Sequence, residues 1–441
     1  MDESTKNLLL TFLDFGVPST NPVNFCDVID ITDLRDGAKS LLRLASDRRQ
    51  TLEDGLSYEG SKVDPRNVIA SVNVYLESVW AVQESLEYSA QTRIKLKGPL
   101  EFTWTSVLCS AKNRGKKGFT NQVFVFEVCY VLVVRALAHY NNSFILCKEA
   151  DGQEPMNREN LISAVKDLRV SSGILKYVAN TLLPRWQSPP HDKPPEVFVE
   201  VLESLSKSFL CMAQRITIVS VLMKGDSVNK SLIVKLFLGL EEHYQGVVTP
   251  LSTLPKQVRE KDISPTLFDE PATFAIVANA LAWKYMAIDA HSKIESSDRP
   301  DILSGKAAAF IAHSYTKLKN CKLGTGSKHL RHVVDAEIAD IGAKYTEYQT
   351  DNEKVYFGIA PDMDDVELPQ RQFLPTAVEF EMPKVDVVSF ASKSGCANDE
   401  NSIGGADLIK GRLKAPQGVD EKVFYALPED IQKELIAQYE E

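Results

Sequence analysis

VFVFEVCYVLVVRALAHY, residues 123–140, is the most apolar run in the chain. Its length approaches the roughly 20 residues a helix needs to cross a bilayer. Glu127 and Arg135 interrupt it, and a charge deep in hydrocarbon is too costly for an ordinary anchor. A helix apolar on nearly every side must then be buried in protein, so the run is read as a core helix. Outward from it, apolar residues three and four apart recur over 33–53, 65–88, 119–147, 157–183, 194–224, 227–254, 265–297, 301–320 and 327–352, predicting a chain of long helices.

The punctuation supports this. In DPRN, Asp64 is an N-cap in front of Pro65 at the first turn; in GTGSK, 324–328, glycines end one helix and Ser327 caps the next. Long helices joined by short loops form bundles or solenoids. The stretch GKAAAFIAHSYTKL, 305–318, has the small-residue spacing of a tetratricopeptide-like hairpin. Residues 1–30 differ: NLLLTFLDF and CDVIDIT are short β-rich runs among turn residues and predict a small β element near the N-terminus. After about Pro383 the periodicity stops. The expected organisation is a helical domain over 1–385, a flexible linker over 386–418 and a short helical segment over 419–441.

The 441 residues are 44% hydrophobic and 25% charged, with a net charge of −10. That balance argues against a nucleic-acid binder, which needs a basic surface to displace counterions. The seven cysteines are scattered without a Cys-x-x-Cys pair and predict reduced thiols. The acidic start and the QYEE ending match no signal peptide, myristoylation or prenylation site, so a soluble cytoplasmic protein is expected, with any membrane association borrowed from partners.

No Walker loop, His-Glu-x-x-His or nucleophile elbow is present. His329, His332 and Asp335 share a helix face without a fourth ligand and read as solvated surface. The expectation is a non-enzyme with no cofactor and no metal.

Several blocks, in order, resemble the Bro-one domain family. PLEFTWTSVL (99–108) resembles its aromatic-Trp-Thr block and FEVCYVLVV (126–134) its Phe-Glu helix, with Val133 and Val134 in place of the usual Phe-Asn. SSGILKYVANTLLP (171–184) resembles its Ala-Gly-x-Phe helix, with Leu175 where Phe is usual. CMAQRITIVSVLMKGDSVNKSLIVKL (211–236) is similar to its Ala-Gln-rich helix and the helix after it. TDNEKVYFGIAP (350–361) resembles its exit from the last long helix, and VEFEMP (378–383) its closing strand. In size the chain is nearest the Brox type, without the prenylation box.

The resemblance implies a mainly α, elongated, banana-shaped domain with a tetratricopeptide-like solenoid core. It implies an adaptor whose concave face binds the C-terminal amphipathic helix of an ESCRT-III subunit, acting at endosomes. By residue match Leu232 and Leu236 would line that trough, Lys235 between them would meet an acidic flank of the ligand, and Ile218 (or Thr217) would supply a further wall. The alternative is a rhophilin-like signalling scaffold binding other helical peptides.

The tail GVDEKVFYALPEDIQKELIAQYE, 418–440, resembles the Leu-Pro ubiquitin-binding motif of translesion polymerases. Pro428 suits a first helical turn, with Glu429 and Asp430 beside it favouring a helix N-terminus. Val423, Leu427, Ile431 and Leu435 recur every four residues, and Phe424 widens that strip. The resemblance makes Val423, Phe424, Leu427, Pro428, Ile431 and Leu435 the ubiquitin-binding set.

Overall fold

The computed structural model describes residues 2–390, apart from 14, 57–62, 91, 111–116, 226–227 and 323–327, together with Ser402–Gly404. Among the described residues two short helices, α1 (Glu3–Leu9) and α2 (Phe25–Val28), precede nine long ones: α3 (Asp36–Leu56), α4 (Pro65–Tyr88), α5 (Phe124–Asp151), α6 (Arg158–Tyr177), α7 (Val199–Leu222), α8 (Lys230–Ser252), α9 (Thr266–Ser292), α10 (Pro300–Lys319) and α11 (Lys328–Asp351). From α3 to α11 each long helix packs against the next in sequence. The body is therefore an elongated solenoid in which burial is shared between neighbours.

Every long helix expected from periodicity is present. The starts are set by caps: Asp64 accepts from the Arg66 N–H, Asn157 from Glu159 and Asn160, and Asn229 from Ser231. α5 and α7 are long and apolar enough to cross a membrane, but both are mostly buried among their neighbours. They are core helices of the solenoid.

The β element is small and lies further along than expected. Strands β1 (Arg93–Lys95), β2 (Phe102–Thr105), β3 (Gly118–Asn121) and β4 (Ser402–Gly404) form two antiparallel pairs. Phe102 to Thr105 face Asn121 to Gly118, and Arg93 to Lys95 face Gly404 to Ser402. The first thirty residues contribute helices α1 and α2 and only isolated bridges, Thr20 to Trp104 and Ile29 to Leu96. A short apolar run fits a strand or a buried helical turn equally well, and here tertiary contacts chose the helix.

The charges that interrupt the opening run now have partners. Glu127 is fully buried and accepts from Arg49 Nε at 3.0 Å, the Tyr75 hydroxyl at 2.8 Å and Trp104 Nε1 at 2.6 Å. Arg49 also donates to the Asn21 carbonyl at 2.6 Å and Thr20 Oγ1 at 2.8 Å. One carboxylate thus ties α3, α4, β2 and the N-terminal segment to α5. Glu196 does similar work, accepting from Ser106 Oγ and the N–H groups of Val107 and Leu108.

α1 is held by two buried cations. Arg215 on α7 donates to the carbonyls of Leu8, Leu9 and Thr11, capping the helix end. Lys284 on α9 meets Glu337 at 2.6 Å, Asp340 at 2.7 Å, Asp2 at 3.0 Å and Thr5 Oγ1 at 2.9 Å. Beside Arg215, burial pushes the Glu270 carboxyl up to about 7, against the pull of the Arg215 guanidinium. A folded-state pKa above the unfolded one means the native state holds the proton longer, so this group's contribution falls as pH rises from about 4.5 to 7. The expected loss is of order 3 kcal/mol across that window. Urea titrations of Glu270→Gln should lack that part of the pH slope; a slope identical to the parent's would refute the assignment.

Candidate partner-binding face

Beyond α11 the chain turns back and runs, largely extended, along the whole solenoid. This strap, residues 358–390, crosses α10, α8, α6 and α4 in that order. Gly358 seats on Asp301 and Gly305 of α10, and the Gln372 N–H bonds the Lys235 carbonyl of α8 at 2.9 Å. The Val378 N–H bonds the Arg169 carbonyl of α6 at 3.0 Å, and the N–H groups of Val388 and Phe390 bond Ser85 Oγ and Ser89 Oγ at the end of α4, each at 3.0 Å. The even-numbered helices therefore share one face, and the strap lies across it.

Three helix glycines let it approach, and on Gly305 of α10 a Cβ would overlap the Ile359 carbonyl. A Cβ on Gly239 would overlap the Gln372 carbonyl, and one on Gly173 would overlap the Val378 carbonyl. Gln214 reaches up from α7 as a clamp: its Nε2 donates to the carbonyls of Leu236 and Gln372, both at 3.2 Å, and its Oε1 accepts from the Leu374 N–H at 3.2 Å. Arg169 Nε adds a bond to the Thr376 carbonyl at 2.7 Å. Phe373 stacks on His243 at 3.5 Å, and Phe380 packs edge-on to Tyr177 and under the Arg135 guanidinium. Burial lowers the Arg135 pKa, and the Phe380 ring face is its cation–π partner.

Against this geometry the expected trough residues divide. Leu232 is half-buried, with part of its side chain open, and Lys235 is likewise half-exposed. Leu236 and Ile218 are fully buried and belong to the core. The expectation that they line an open trough is corrected: α8 is flanked by α7 and α9 and crossed by the strap, so Leu236 faces protein, and Ile218 is sealed in the α7 core. Thr217 is half-buried and its hydroxyl bonds the Ala213 carbonyl. The outward apolar side chains on this face come instead from the strap, Leu374 and Val378.

A depression of about 390 Å³ opens on the same face between α8 and α10, with α9 as its floor. Ala275 and Ile276 make it apolar; Glu241, Gln245, His313 and Lys317 rim it. Burial, with Lys317 nearby, lowers the His313 pKa and favours the neutral ring.

The domain boundary also moves. Phe390 is fully buried against the body, so the folded domain continues past 385. Val423, Phe424, Leu427, Pro428, Ile431 and Leu435 lie outside the described residues. His332 and Asp335 are exposed on α11, as read from sequence, and the side chain of His329 is not among those described.

The order of blocks, the helical solenoid and the returning strap point to one family, and residues 78–400 match the one described as BRO1-like domain. The chain belongs to the BRO1-like domain family. Solved BRO1 structures share the fold. An ALIX chain crystallised with the SIVmac239 PYKEVTEDL late domain superposes with a TM-score of 0.63 at 16% identity, covering 86% of this chain and 50% of that one, so this chain spans about half its length. The ALIX BRO1–CHMP4C complex gives 0.60 at 17% identity, covering 86% of this chain and 98% of that one. A Bro1 domain structure described as a basis for endosomal targeting gives 0.55 at 16% identity, covering 82% and 93%. No curated protein matches.

The BRO1 strap was read in the sequence only as its closing strand VEFEMP. The signals that could have revealed it were Gly173 and Gly239 inside strong helical patterns, where glycine marks close backbone approach.

Proposed function

We propose that this BRO1 protein is a non-enzymatic adaptor that captures the C-terminal amphipathic helix of an ESCRT-III subunit on the even-helix face, and is recruited to endosomes by that contact. The observation carrying the reading is the part-open Leu232 and Lys235 on α8, beside the outward Leu374 and Val378 of the strap, in a fold shared with the BRO1 domain of the ALIX–CHMP4C complex. An amphipathic helix presents apolar anchors at i, i+3 and i+4, and this strip offers matching apolar surface with a cation for an acidic flank. Each anchor buried contributes about 1.5–3 kcal/mol.

Leu232→Asp is expected to weaken binding of an ESCRT-III tail peptide by about tenfold or more while leaving the thermal melt within a few degrees of the parent. Isothermal titration of the full chain checks it. Unchanged affinity in Leu232→Asp, with loss in Ile276→Asp, would move the seat to the α8–α10 depression. Loss in neither would leave the rhophilin-like scaffold reading in its place.

The tail supports a second contact. With its Leu-Pro elbow and apolar strip, 419–441 would hold ubiquitin or ubiquitinated cargo, tethered so that the weak site works at raised effective concentration. A Leu427→Ala, Pro428→Ala double variant is expected to lose retention on ubiquitin-agarose; equal retention would sink this assignment. A Brox-type relationship would fit the same adaptor reading.

A further inference from the structure

At the turn between α11 and the strap, the chain holds large apolar side chains in solvent. Phe357 is 73% exposed and Ile359 90%, with Val355 and Ile302 exposed beside them. Phe357 has φ 53° and ψ 33°, the left-handed region in which a bulky side chain is an outlier. The surrounding structure enforces it. Asn352 bonds Gly358 twice, Nδ2 to its carbonyl at 3.0 Å and Oδ1 from its N–H at 2.8 Å, and Gly358 is wedged against α10 where no side chain fits. Strain of this kind persists only where other contacts over-determine it.

The chain on either side of this knob is acidic, while Lys306 and the Asp301-paired Arg299 flank it from α10. Glu353, Asp362, Asp364, Asp365 and Glu367 are all exposed between residues 353 and 368, where Lys354 is the sole cation. The complement is a short basic segment carrying apolar anchors, and this chain contains one. LIKGRLK, 408–414, interleaves Lys410, Arg412 and Lys414 with Leu408, Ile409 and Leu413, and no carboxylate falls between 408 and 418.

It cannot serve its own knob. Gly404 pairs with Arg93 on β1, so the ten further residues to Lys414 carry the segment no more than about 35 Å from that pair. The knob sits beside α10, and the strap crosses α8 and α6 before reaching α4 near β1. The six residue steps from Gln372 to Val378, α8 to α6, span roughly 20 Å, and the strap makes three such crossings between α10 and α4.

We propose that the Val355–Phe357–Ile359 knob is a docking site for the 408–414 segment of a second copy of this chain, making the protein a concentration-dependent dimer. The apolar anchors seat on Phe357 and Ile359, and the three cations meet the acidic strap start. This surface lies apart from Leu232, so the proposal stands or falls independently of helix capture.

Sedimentation equilibrium of the full chain tests it. Self-association is expected in the micromolar range, weakening as salt is raised. Phe357→Ser and Ile359→Ser should each weaken it roughly tenfold to a hundredfold, with unchanged circular-dichroism melts. Lys410→Glu, Arg412→Glu, Lys414→Glu and Asp362→Lys, Asp364→Lys, Asp365→Lys should each be monomeric alone and associate when mixed. A parent chain that stays monomeric, a dimer that survives either charge reversal, or a mixture that fails to associate would each overturn the proposal.

Discussion

Glu127→Ala is expected to destabilise the fold by about 3–5 kcal/mol, the usual consequence of removing one partner from a buried ion pair. Glu127 accepts from Arg49, Tyr75 and Trp104 at 2.6–3.0 Å in a site without solvent. Its removal strands a guanidinium and two further donors at once, and a buried donor without an acceptor carries its full desolvation penalty. Glu127→Gln keeps the shape but not the charge, and should fall between parent and alanine variant. Urea unfolding monitored by circular dichroism measures the difference. Near-parental stability in Glu127→Ala would mean that Arg49 finds an equivalent acceptor, and that the carboxylate is not what joins the N-terminal segment to α5.

The second large effect is expected at Gly173 and Gly239. An alanine Cβ at either position overlaps a strap carbonyl, so the strap must lift or the helix must move. Gly→Ala inside an exposed helix ordinarily stabilises by about 0.5–1 kcal/mol. Here the sign should reverse, because lifting the strap exposes Phe373 and Phe380 and breaks the bonds from Gln214 and Arg169. Gly173→Ala, Gly239→Ala should show fast amide exchange over 372–380, a lowered melting temperature and impaired capture of the helical ligand, whose proposed seat includes Leu374 and Val378. Slow exchange with raised stability would show that the close approach is relaxed without cost.

How much of this was legible in the residues follows from the range of the interactions. The long helices were readable because their period, caps and breaks are local: Asp64 before Pro65 and Asn157 before Arg158 lie within a turn of what they cap. The N-terminal runs misled because seven apolar-rich residues carry no decisive period; α1 is held as a helix by residues some two hundred positions or more away, Arg215 capping its last carbonyls and Lys284 pairing with Asp2 at its start. Leu232 and Leu236 share a helix flank four residues apart, but the pattern of α8 cannot tell which is sealed when apolar residues surround most of its circumference. What seals Leu236 is tertiary: its helix packs between α7 and α9, and Gln214 on α7 ties that helix to a strap residue far along the chain. Sequence periodicity is silent about an extended strand that pairs with helices through their glycines.

The strap is also among the last parts of the domain to leave the ribosome. At roughly 5–20 residues per second, about 15–60 s separate the emergence of α4 from that of Phe390, which packs against its end. For that interval the nascent solenoid carries an uncovered lane over α4, α6 and α8, with Ser85, Arg169 and Gln214 lacking their eventual partners. A chain truncated before residue 372 should therefore leave the ribosome as a chaperone client, with a body that is helical but unsealed.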